Sequence, residues 1–163
     1  METLKMNQLY QKMAIQLNDM IPDEWSKLYL YGEVLNDSRT IYFFFDRKSD
    51  GKTIYHLDIP SIYKVSESIY DKLHDELTDI VVELYNEYKD NNENVWTNFT
   101  FVMDCNGKFD MKFSYDDVLK SGFNNTERQR IWMYEVMGKE PEKENHKELI
   151  RRYLDKNTKL FWK

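Results

Sequence analysis

Apolar residues return at helical and at strand periods in separate stretches of the chain, and that alternation sets the expected order of elements. Met6, Leu9, Met13, Leu17 and Met20 recur at three- and four-residue steps. This predicts an amphipathic helix from Leu4 to Ile21, stopped at Pro22. Lys27 to Leu35 and Thr40 to Phe45 are rich in Tyr, Leu, Ile and Phe and predict strands joined through Asn36-Asp37-Ser38. The run Ile41-Tyr42-Phe43-Phe44-Phe45 is apolar on both faces, which predicts a central strand in a sheet. Ser49-Asp50-Gly51-Lys52 turns the chain into a third strand near Thr53 to Leu57. Ser66 then opens a long helix that runs to Lys89 and is ended by Asp90-Asn91-Asn92. Its buried stripe is Ile69, Leu73, Leu77, Ile80, Val81, Leu84 and Tyr88.

A hairpin follows, and its register can be argued from the pattern. Phe99, Phe101, Met103 and Cys105 alternate with polar or smaller residues, as do Phe109, Met111, Phe113 and Tyr115 beyond Asn106-Gly107. A two-residue Asn-Gly turn would set Met103 opposite Asp110 and put the two apolar sets on opposite faces. A three-residue loop, Cys105-Asn106-Gly107, instead pairs Asp104 with Lys108, Met103 with Phe109 and Phe99 with Phe113. Register follows the buried face, so the expectation is a type I turn with a bulge glycine at Gly107.

Thr126 with Gln129 resembles a capping box, predicting a helix from Glu127 to Met137 closed by Gly138. Pro141 opens a last charged helix from Glu142 to Asp155, with Leu149, Ile150, Tyr153 and Leu154 as its apolar side. The expected order is α-β-β-β-α-β-β-α-α. Short connections favour antiparallel strands, so the fold class is α+β, a single domain over residues 1–163 with helices packed on a mainly antiparallel sheet. Residues 142–163 read as a charged helical extension of that domain.

Composition adds limits. The 163 residues suffice for one core without staples, and the 12 Tyr and 9 Phe supply ample packing material. A single cysteine, Cys105, rules out an internal disulfide and makes a reducing cytoplasm the expected setting. Met1-Glu2-Thr3-Leu4-Lys5 lacks the basic and apolar regions of a signal peptide, and charges interrupt every apolar run well short of a membrane span. A net charge of −6 argues against direct nucleic-acid binding, whose phosphate contacts need a basic surface, and suits a basic partner.

Signals for catalysis are sparse. His56, His74 and His146 are scattered, without H-E-x-x-H spacing or a cysteine cluster, and read as a histidine at a strand end and two on helix surfaces. Cys105 falls in the hairpin loop with no basic partner identified. No glycine pattern cradles a phosphate, so no cofactor is expected. One constellation resembles a metal-dependent nuclease: Asp110-Met111-Lys112 on a strand, with Asp104 upstream. Asp110 and Lys112 share the outward face of a two-stranded ribbon, where Lys108 and Lys112 flank Asp110 and local charge pairing accounts for all three. That reading requires Glu33 or another carboxylate within metal-ligand distance of Asp110.

The long helix carries more information. From Glu67 to Glu93 nine acids stand against Lys72 and Lys89 alone, a segment more negative than the chain as a whole. Glu67, Asp71, Asp75, Asp79, Glu83 and Glu87 step by four, so neighbours repel and the row winds slowly around the helix. Such a row is either a solvated outer face or an electrostatic lure for a basic partner. Tyr29, Tyr31, Tyr42, Tyr55, Tyr63, Tyr70, Tyr85 and Tyr88 supply aromatic material for the core and for a recognition surface.

These residues carry a family resemblance. Ile21-Pro22-Asp23-Glu24-Trp25 followed by Lys27-Leu28-Tyr29, the strand Tyr42-Phe43-Phe44-Phe45, Trp96-Thr97-Asn98, Phe113-Ser114-Tyr115-Asp116-Asp117, and Trp132-Met133-Tyr134-Glu135 with Gly138 and Pro141 stand in one order. In that order the chain resembles the YezG-like family of immunity proteins, found beside polymorphic toxins of Gram-positive type VII secretion systems. The likeness runs from Leu4 to Pro141 and weakens from Glu142 onward. It implies an antitoxin and no enzyme: a cytoplasmic protein that binds and neutralises a cognate secreted toxin, one with a nuclease domain, by stoichiometric contact. The six stepped acids are the expected toxin-binding residues, and a homo-oligomer is compatible with the free state. A metal-dependent nuclease and an adaptor or regulator outside toxin immunity are the competing classes.

Overall fold

The computed structural model describes residues 2–157 and 159–161. Helix α1 (Leu4–Met20) is followed by strands β1 (Trp25–Val34), β2 (Arg39–Arg47) and β3 (Thr53–Tyr55). Then come the short helix α2 (Ile59–Tyr63), the long helix α3 (Glu67–Asn91), the hairpin β4 (Asn98–Asp104) and β5 (Phe109–Ser114), and helices α4 (Asn125–Met137) and α5 (Glu144–Asp155). The expected α+β order holds, with α2 added. All strand pairs are antiparallel, in the order β3-β2-β1-β4-β5. β2 is interior, as its two-sided apolarity required, but β1 is the central strand.

Strand side chains alternate between two buried faces. Leu28, Leu30, Phe43, Phe45, Phe99 and Phe101 point to one face, where α1 and α3 cover them with Met6, Met13, Leu17, Leu77, Val81 and Leu84. Tyr29, Tyr31, Tyr42 and Phe44 point to the other, under Ile131 and Trp132 of α4, Leu149, Ile150 and Tyr153 of α5, and the chain end at Leu160 and Phe161. The stretch after Glu142 therefore packs on the sheet. Thr158, Trp162 and Lys163 of that stretch, and Met1, lie outside the described residues.

The hairpin register is the expected one: Phe99 faces Phe113 and Met103 faces Phe109. Asp104 N–H donates to the Lys108 carbonyl at 2.9 Å, and Gly107 takes φ 86°. The Asp104 carboxylate fastens the turn by accepting from the backbone N–H groups of Asn106 and Lys108.

Several expectations are corrected. β3 stops at Tyr55, and His56–Asp58 form a 3-10 turn that leads into α2. Pro60 lies in the first turn of α2, where its missing N–H has no helical partner to lose. Ile69 is 58% exposed, and Tyr70 takes its place in the core at 2%. The capping box is Asn124 with Glu127, two residues before Thr126 with Gln129: Glu127 N–H donates to Asn124 Oδ1 and Asn124 N–H to Glu127 Oε1. α5 begins at Glu144, and Leu154 is exposed.

Candidate functional site

The acidic row lies on α3, whose inner stripe presses Tyr70, Leu77, Val81 and Leu84 into the core. Each four-residue step turns about 40° beyond a full circle, so six acids wrap some 200° and cannot share one face. The structure divides them accordingly. Glu67, Asp71, Asp75 and Asp79 are exposed, and none of them is in an ion pair among the described residues. Glu83 and Glu87 have turned toward α1. Lys12 Nζ lies 3.9 Å from Glu83 Oε1. Thr3 Oγ1 donates to Glu87 Oε1 at 2.8 Å while accepting from Met6 N–H at 3.1 Å, so one hydroxyl caps α1 and ties it to α3. Farther along, Gln16 donates to the Leu73 carbonyl at 2.9 Å. The candidate docking face is thus the stretch of α3 from Glu67 to Asp79; Glu87 ties α3 to α1 through Thr3, while Glu83 is exposed and makes only a long surface contact with Lys12. Sequence reasoning missed Thr3, Lys12 and Gln16; Lys12 was legible as one of two basic residues in the polar stripe of α1, with Lys5.

The nuclease constellation is not assembled. Asp104 is committed to its turn. Asp110 and Lys112 are exposed on one face, and Asp110 pairs with neither Lys108 nor Lys112. Glu33 pairs with Asn98, which pairs with Ser114, four residues along β5 from Asp110. Two strand spacings and four residues amount to roughly 15 Å, far beyond shared coordination. No three metal-ligating side chains gather among the described residues. Cys105 is exposed at the hairpin turn.

The three histidines lie where the pattern put them, His56 at the end of β3 and His74 and His146 on α3 and α5, but the burial of His56 and its contact with His74 were not foreseen. His56 is buried, with Nδ1 2.7 Å from the Tyr70 hydroxyl and its ring stacked on His74 at 5.2 Å. Burial, then the neighbouring His74, pushes the His56 pKa down to about 3. His74 Nε2 lies 3.0 Å from the Ile41 carbonyl, which sets it as the donor and leaves His74 pinned to β2.

A second polar set was also invisible in the sequence. Glu33 is 2% exposed and accepts from the Tyr31 hydroxyl at 2.7 Å. Trp132 Nε1 donates to Thr100 Oγ1 at 2.9 Å. Arg128, 5% exposed, donates to the Phe123 carbonyl and to Asn125 Oδ1. Burial, with Tyr42 and Glu33 close by, pushes the Tyr31 hydroxyl well above the ordinary tyrosine pKa. These groups satisfy one another and face the core, so they shape the fold and offer nothing to a partner.

Together these features define a single-domain α+β protein whose strongest surface feature is the acidic outer face of one helix; among the described residues no helix is long and apolar enough to cross a membrane. Residues 6–151 match the family described as immunity protein YezG-like, and the chain belongs to that family. It is 44% identical over 149 residues to immunity protein YezG of Bacillus subtilis strain 168, covering 91% of this chain and 99% of the relative. To immunity protein YezG of Bacillus spizizenii it is 40% identical over 157 residues, 96% of this chain and 98% of the relative. The type VII secretion system protein EsaG of Staphylococcus aureus is 28% identical over 140 residues, 86% of each chain. The family match ends at Arg151, inside α5.

Proposed function

We propose that this chain is an immunity protein that acts in the cytoplasm by binding a cognate toxin of a type VII secretion system, one molecule to one, and makes or breaks no covalent bond itself. The partner is the toxin's nuclease domain, whose phosphate-binding surface is basic. The observation that carries this choice of partner is the exposed set Glu67, Asp71, Asp75 and Asp79, four carboxylates on the outer face of one rigid helix without an ion-pair partner among the described residues. A fixed negative strip of this kind raises the encounter rate with a cationic surface and orients it on approach.

The test is to replace Asp71, Asp75 and Asp79 together by Lys in the full chain and follow association with the toxin domain of the neighbouring gene. Glu83 and Glu87 are left alone, because they face Lys12 of α1 and its N-cap residue Thr3. Association at low salt should slow by about tenfold or more and lose most of its salt dependence, with the thermal transition unchanged. An association rate equal to that of the parent would remove α3 from the encounter. Failure of the parent chain to bind the toxin domain or to protect cells expressing it would remove the whole reading.

A further inference from the structure

The sheet ends differently on its two sides. β3 contributes three residues and runs directly into the turn that leads to α2. β5 contributes six, Phe109–Ser114, with β4 on one side and, among the described residues, no strand on the other. Phe109 is 41% exposed, Asp110 and Lys112 are exposed, and Met111 and Phe113 are half-buried. A long open edge is a template for another strand, which folded proteins ordinarily shorten, cover or distort.

Backbone geometry fixes what such a strand must look like. Asp104 and Lys108 share a ladder hydrogen bond, so the pairs that follow alternate: Met103 with Phe109 is not bonded, Val102 with Asp110 is, and so on along the hairpin. The N–H and C=O groups of Phe109, Met111 and Phe113 therefore point away from β4, and none has a hydrogen bond recorded among the described residues. Asp110 and Lys112 lie between them with their side chains on the opposite face.

The segment Phe109-Asp110-Met111-Lys112-Phe113 is symmetric about Met111 in polarity and antisymmetric in charge. Set antiparallel against itself with Met111 opposite Met111, it brings Phe109 opposite Phe113, both as hydrogen-bonded pairs, and Asp110 opposite Lys112 twice over. Sliding one copy by two residues keeps the backbone phase but sets Asp110 against Asp110 or Lys112 against Lys112, which like-charge repulsion disfavours. The apolar side chains stay on the face that α1 and α3 cover, where Tyr10 already lies edge-on to Phe109 and Trp96 stacks on Phe113. We infer that the free protein forms a two-fold dimer through β5, in that single register, making a continuous ten-stranded sheet from two copies of this chain. The occupant of the edge is a second copy, because this edge complements its own charges.

Sedimentation velocity on the purified full chain, over a wide concentration range, tests it. The parent should dimerise reversibly. Asp110→Lys or Lys112→Asp alone turns both cross-copy pairs repulsive and should weaken the dimer about tenfold. The double variant, with both substitutions in each copy, restores opposite charges and should recover most of that loss. Met111→Pro removes an outward N–H that β4 does not use and should abolish dimerisation while the thermal transition is kept. A parent that stays monomeric at every concentration, or a dimer indifferent to the charge exchange, overturns the inference. A monomer whose Met111→Pro variant loses toxin binding also overturns it and gives the edge to the toxin. Neutralisation measured on the same variants keeps this outcome separate from the proposed function.

Discussion

Among the described residues the two faces of the sheet contain one tryptophan each at full burial, and the two are treated differently. Trp96, on the face under α1 and α3, lies among Tyr85, Phe99 and Phe113, and its indole N–H has no hydrogen-bond partner among the described residues. Trp132, on the face under α4 and α5, stacks with Phe44 and donates to Thr100. The first face is joined mainly by shape and apolar area, from side chains on two long antiparallel helices. Its counterpart mixes aromatic rings with Glu33, Thr100 and Arg128, each paired to a specific neighbour. Packing on the apolar face tolerates repacking of equal volume. A buried hydrogen bond tolerates no loss of one partner, because the other is then left desolvated and unpaired.

Substitutions can separate the two principles. Phe101→Ala on the apolar face should cost about 3–5 kcal/mol in equilibrium unfolding, through lost transfer energy and the cavity left behind. A cost under about 1.5 kcal/mol would mean that the face collapses around the gap and is less rigid than its contacts imply. Thr100→Val keeps the shape but removes the acceptor of the Trp132 N–H, and should cost about 1–3 kcal/mol by urea denaturation. A neutral result would show that the second face is held by its rings alone.

The smallest effect tests a histidine sunk into the edge of the apolar face. His56 is surrounded by Phe43, Tyr55, Tyr70 and His74, and burial holds its pKa near 3 against about 6.5 in an unfolded chain. Above pH 6.5 neither state is protonated and His56 costs nothing. Below it the unfolded chain takes up a proton that the folded chain refuses, so stability falls with pH until the folded ring also titrates near 3. From pH 6.5 to 5.5 the loss attributable to His56 is about 1 kcal/mol. His56→Phe should flatten that part of the stability–pH curve; an unchanged slope would assign it to other groups.

The same contrast explains what the sequence could disclose. On the apolar face, period and composition agree: α1, β1, β2, α3 and the hairpin register follow from where Leu, Met and Phe recur. The second face depends on pairs distant in sequence, Trp132 with Thr100 or Tyr31 with Phe161, and no local period announces them. Arg128 and Glu33 read as surface charges until their partners are seen. α2 was hidden by Pro60, which breaks a helix interior but not a first turn. Ile69 illustrates the reverse error, an apolar residue in phase with the stripe that faces outward while its neighbour Tyr70 is buried. For the site, spacing by four disclosed the acids but not their division: only the position of α1 shows that Glu87 is engaged with Thr3 and that Glu83 lies beside Lys12.

Gly32, near the end of β1 and opposite Phe99, has a consequence for how this protein can drift in evolution. A Cβ placed there would meet the Phe99 ring at 2.3 Å, so the ring occupies the volume that any larger residue at position 32 would claim. The order of change is therefore one-way: a larger residue at position 32 is open only after position 99 has given up its ring, whereas a smaller side chain at 99 meets no such barrier.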